Sequence, residues 1–76
     1  MNNELIQELN KELLAIKVRH VFTITLLETY EGMTFEEKEI DIAAERIRQL
    51  KSDIRINKEY IKKVEEKIKE LSHSIT

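Results

Sequence analysis

The chain contains no cysteine, no proline and a single glycine in 76 residues. Without cysteine there is no disulfide framework, no thiolate metal site and no cysteine nucleophile. With only Gly32 and no proline, most small β-rich folds are excluded, because their hairpins need many turn residues. Long apolar runs are missing too, and none approaches the ~18 residues of a membrane helix. Residues 1–12 carry Glu4, Glu8 and Glu12 and no continuous apolar stretch. No secretory signal is therefore expected, and the expected location is cytoplasmic. A charge excess of either sign is also absent. Thirteen Lys and Arg against fifteen Asp and Glu leave a formal net charge of −2, which has no electrostatic claim on DNA or RNA. The length allows one domain at most, spanning residues 1–76.

What is present is pattern. The one strong punctuation is Tyr30-Glu31-Gly32-Met33-Thr34. Gly32 suits the left-handed position just past a helix C-terminus. Thr34 with Glu37 reads as a capping box, and Glu36, Glu37 and Glu39 suit the positive end of a new helix. The expected order is a helix over 3–31, a turn at 32–34 and a helix over 35–75. Asn2 or Asn3 is the expected N-cap of the first.

The second segment repeats every seven residues. Ile40, Ile47, Ile54, Ile61, Ile68 and Ile75 alternate with Ala43, Leu50, Asn57, Val64 and Leu71 in 3-4 spacing. Ten of these eleven positions are apolar, which is a sustained heptad seam on a helix of ~60 Å. Glu59 with Lys63 and Glu65 with Lys69 are i,i+4 pairs on the solvated face. The first segment has a matching seam: Ile6, Leu9, Leu13, Ile16, His20, Thr23, Leu27 and Tyr30. Folding about Gly32 sets Leu27 opposite Ile40, Thr23 opposite Ala43, His20 opposite Ile47 and Ile16 opposite Leu50. The fold class is all-α: an antiparallel helical hairpin with a long heptad-patterned second helix. The alternative is α-β-β-α, because Val21-Phe22-Thr23-Ile24-Thr25 is rich in strand formers. Its second strand would be the charged 33–39 stretch, and Glu-Gly is a weak hairpin turn.

Two apolar surfaces are left over by that hairpin. Leu14, Val18, Val21, Phe22 and Leu26 point away from the first seam, and a helix apolar all round is buried on both sides. Val64, Ile68, Leu71 and Ile75 continue the second seam past the expected reach of the first helix. Both surfaces imply a homodimer, with a protein partner as a further occupant. A two-helix core of this size is marginal alone.

Little here could catalyse. There is no Ser-His-Asp arrangement, phosphate loop or H-E-x-x-H, so no catalytic residue, metal, cofactor or small-molecule substrate is expected. His20 lies on the seam and His73 in the last turn. Asn57 is the one polar break in the second seam, where a buried Asn can fix register. Charge is uneven along the chain: residues 28–45 hold a net of −6 and residues 46–76 a net of +4. Glu31, Glu36, Glu37, Glu39 and Asp41 therefore form an acidic tip, suited to dipole matching or to a basic partner surface. The Lys-rich second helix has its lysines interleaved with acids and lacks an aromatic platform. The expected function is non-enzymatic protein–protein interaction, as a small adaptor, inhibitor or assembly factor. Eleven Ile and nine Lys beside three Ala suit an AT-rich genome, such as that of a low-GC bacterium or its phage, and size and composition fit a phage or mobile-element accessory protein. The alternative is a small nucleic-acid-associated regulator acting through the Lys-rich helix.

Overall fold

A computed structural model describes the backbone of residues 2–75 and the side chains of residues 3–73. It is an all-α hairpin: helix α1 spans Asn2–Gly32, a single 3-10 turn spans Glu37–Glu39, and helix α2 spans Ile40–Ile75. The two helices lie against each other in a rod of 60 × 14 × 14 Å. No strand occurs among the described residues, so the α-β-β-α arrangement is excluded.

The strand-prone stretch is helical for two reasons. Thr23, Thr25 and Thr29 each donate their hydroxyl to the carbonyl four residues back, at 2.8–2.9 Å. That bond satisfies the hydroxyl without breaking the helical ladder. Burial does the rest. Thr23 is buried, and Ile24 and Leu27 are half-buried. Tertiary packing outweighs a propensity difference of a few tenths of a kcal/mol per residue.

The turn differs from the expected one. Gly32 is the last residue of α1 and has no positive φ, so it does not act as a left-handed cap. Residues 33–36 have no regular structure, and the residue before the 3-10 turn is Glu36, extended at φ −70° and ψ 154°. Its side chain makes no capping bond, and Thr34 lies too far upstream to cap either element. The longer connection places Phe35 against Tyr30, with the rings stacked and their centroids 6.1 Å apart. Asn3 lies inside α1 and caps nothing, and the side chain of Asn2 lies outside the described residues.

The register differs as well. Lys17 pairs with Glu65 at 3.5 Å and Glu31 with Lys51 at 3.9 Å. In both pairs the residue numbers add to 82, which fixes an antiparallel arrangement. The seam positions nearest that register set Leu13 level with Ile68, Ile16 with Val64, Thr23 with Asn57, Leu27 with Ile54 and Tyr30 with Leu50. Compared with the expected pairing, α1 is displaced along α2 by two heptads, about 21 Å at the rise of an α-helix. The physical cause is periodicity. A heptad seam looks the same after a shift of seven or fourteen residues, so the pattern sets which faces meet but not how far along they meet. Connection length decides the rest. In the expected register Asn57 would face Leu9, leaving an amide against an aliphatic chain. In the observed one it lies level with Thr23.

The seam is one layer thick. Ile16, Leu50 and Val64 are 4%, 2% and 8% exposed, Ala43 is also buried, and no side chain among the described residues is completely enclosed.

Candidate functional site

Among the described residues, chemistry-bearing groups do not converge anywhere in this hairpin. Among the described residues no group of His, Asp or Glu could hold a metal ion. No helix of the described residues is long and apolar enough to cross a membrane. His20 sits half-buried on the α1 seam, and its Nδ1 is buried without a hydrogen-bond partner. It faces the Ile61 level of α2, not Ile47.

The outer face of α1 is an unpartnered apolar surface. Leu14, Val18, Val21 and Phe22 are 62–68% exposed. At 100° per residue they form one stripe about 180° around the helix from the Ile16–Thr23 seam. A shallow groove between Lys17, Val18 and Val21 runs along it. Leu26 is half-buried and lies at the edge of the stripe, closer to the seam than the other four.

The tail is covered, contrary to expectation. Residues 64–75 have an intrachain neighbour, because the two-heptad displacement brings the first half of α1 alongside them. Val64 is buried, and Ile68 and Leu71 are half-buried. Glu65 reaches across to Lys17, where a pair with Lys69 was expected. The side chain of Ile75 lies outside the described residues.

The same displacement uncovers the other end of α2. Gly32, the end of α1, is level with about residue 50, so the first ten residues of α2 have no helix beside them. Only the connection shields them. Ala43 is buried there, whereas Ile40, Ile42 and Met33 are more than half exposed. Tyr30, Met33, Phe35, Ile42 and Ala43, with Glu39 and Arg46, line a half-open cavity of ≈ 410 Å³. Sequence reading missed Met33, Phe35 and Ile42 as site residues. Ile42 alone carried a signal, as an apolar residue off the heptad on an otherwise solvated face.

Of the acidic tip, Glu39 lines this cleft, whereas Glu36 and Glu37 line a separate depression with Lys38, and Asp41 lines the groove on the other side of Ile42. Glu31, Glu36, Glu37, Glu39 and Asp41 are all exposed. Glu31 pairs with Lys51, and Glu36 lies 3.8 Å from Lys38. Glu37, Glu39 and Asp41 form no ion pair among the described residues. Asn57 is half-buried in mid-seam, level with Thr23, whose hydroxyl bonds the Arg19 carbonyl. Compared with known proteins, the chain matches no family model, no curated sequence and no solved structure.

Proposed function

We propose that this chain is a non-enzymatic protein-interaction module that works as a homodimer, the outer stripe of α1 packing on its copy to complete a four-helix bundle. One observation carries the reading. α1 is apolar on two opposite faces, and α2 covers only one of them. Leu14, Val18, Val21 and Phe22 at 62–68% exposure present about 500 Å² of apolar side-chain surface. A standard half-interface is about 800 Å², with about 65% of its core apolar. The stripe supplies an apolar share of that size, and Gln7, Lys11 and Thr25 on the same face supply polar surroundings. A one-layer seam with no enclosed side chain among the described residues gives a further reason for a second layer.

The test is molar mass by light scattering after size exclusion, comparing wild type with Val18→Glu/Phe22→Glu. Two unpaired charges in the stripe should convert the dimer to a monomer that keeps its helical circular dichroism. Ile56→Glu, on the exposed face of α2, should leave the mass unchanged. If wild type and the double variant have the same mass, the stripe is not the dimer interface.

A further inference from the structure

We propose that the cavity at the hairpin tip is a docking site for a short segment of another protein that presents one large apolar side chain between basic residues. This extends the interaction reading to a second surface, and it stands apart from the α1 stripe.

The cavity exists because of the register. With α1 ending level with about residue 50, the seam of α2 continues upward through Ile47, Ala43 and Ile40 with only the connection against it. The stacked rings of Tyr30 and Phe35 form one wall. Met33 and Ile42 form the rim, and Ala43, the small residue in the seam, leaves the space between them. The volume of ≈ 410 Å³ accepts one aromatic or long aliphatic side chain. Ile42, at 74% exposure, is the most exposed large apolar residue of the described chain. It also borders a second shallow groove, lined by Asp41, Glu45, Arg46 and Gln49. It therefore stands as a ridge between two depressions.

Charge selects the occupant. Glu39 lines the cavity, Glu37 and Asp41 lie on the same stretch of chain, and none of the three is neutralised by an ion pair among the described residues. Residues 28–45 carry a net of −6. A second copy would bring the same acids against these and be repelled, as would an anionic membrane or a nucleic acid. A segment with Lys or Arg beside its apolar anchor gains both contacts at once. Arg46 also lines the cleft, so the partner's basic residues belong beside Glu39 and away from Arg46.

The experiment uses two synthetic nine-residue peptides and the full chain. Both peptides carry a central Trp-Leu pair, one flanked by Lys and the other by Glu. Binding is read by tryptophan fluorescence and by amide shifts in the protein, which has no tryptophan of its own. The Lys peptide should bind and shift amides over residues 33–46, and the Glu peptide should bind at least about tenfold more weakly. Ile42→Asp, on an exposed side chain that the fold does not need, should weaken the Lys peptide by about tenfold or more. Met33→Ser should weaken it in the same direction. Glu37→Gln/Glu39→Gln/Asp41→Asn should weaken it and flatten its salt dependence. Val18→Glu/Phe22→Glu should bind it as wild type does, whatever its mass, so failure of the dimer reading and failure of this one are read separately. Equal binding of both peptides, no binding of either, or unaltered binding by Ile42→Asp would overturn the proposal. A halved molar mass for Ile42→Asp would overturn it too, by showing the tip to be occupied by a second copy.

Discussion

α1 and α2 solve the same burial problem differently. α2 keeps one apolar seam and surrounds it with Lys, Arg and Glu, so a single neighbour satisfies most of its length. α1 carries its seam and, on the opposite side, Leu14, Val18, Val21 and Phe22. The difference teaches that a helix states how many neighbours it needs by how many apolar faces it has. α2 asks for one along most of its length, and α1 asks for two. A second contrast lies within α2. Its last 25 residues have α1 beside them, whereas its first ten rest only on the connection and leave Ile40 and Ile42 open.

Substitutions can break this comparison or sharpen it. The largest effect belongs to the shared seam. Leu50→Ala should cost about 2–5 kcal/mol in chemical denaturation, because Leu50 is the most buried residue of the hairpin. Leu14→Ala, a truncation of the same size on the outer stripe, should leave the stability of a monomeric background almost unchanged. An equal cost at both positions would place the stripe inside the hairpin. Next comes the polar defect of α1. His20→Leu removes a ring nitrogen that is buried without a partner and should raise stability by about 1–3 kcal/mol. A loss of stability on thermal melting would mean that the Nδ1 has a partner. At the end of α1, Gly32→Ala should stabilise by about 0.5–1 kcal/mol, since Gly32 is helical, has no positive φ and has nothing within 4 Å of an added Cβ. A left-handed glycine would give the opposite sign. The smallest effect should come from the Lys17–Glu65 bridge, both of whose side chains are half exposed. A double-mutant cycle should return about 0.2–1 kcal/mol of coupling, falling with added salt.

The architecture was legible in the sequence because periodicity reports faces. The 3-4 spacing from Ile40 to Leu71 and from Ile6 to Tyr30 named the two seams, and all but Ile40 among their described positions are buried or half-buried. The outer stripe was legible for the same reason: Leu14, Val18, Val21 and Phe22 fall where α2 cannot reach. The register was not legible. Fourteen residues are two whole heptads, so Ile16 fits Leu50 as well as it fits Val64. The choice rests on a connection whose length the Thr34–Glu37 capping signal understated. The expected register put the unpaired stretch at Val64–Ile75, one end of α2, whereas the structure has it at Ile40–Ile47, the other. The tip cavity was therefore hidden, because its walls come from residues that no repeat connects: Tyr30 at the end of a seam, Met33 and Phe35 in the turn, Ile42 off the heptad. Asn57 carried a usable hint, since in the observed register it alone among the α2 seam residues lies level with a polar seam residue of small size, Thr23.

The central claim is that the second apolar face of α1 is covered by another copy of the chain. Sedimentation equilibrium of the wild-type protein over a range of micromolar concentrations tests it most directly. The account predicts a species of twice the 9.1 kDa chain mass, dissociating on dilution in step with loss of thermal stability. A single 9.1 kDa species at every concentration, with a melting temperature independent of concentration, would contradict it.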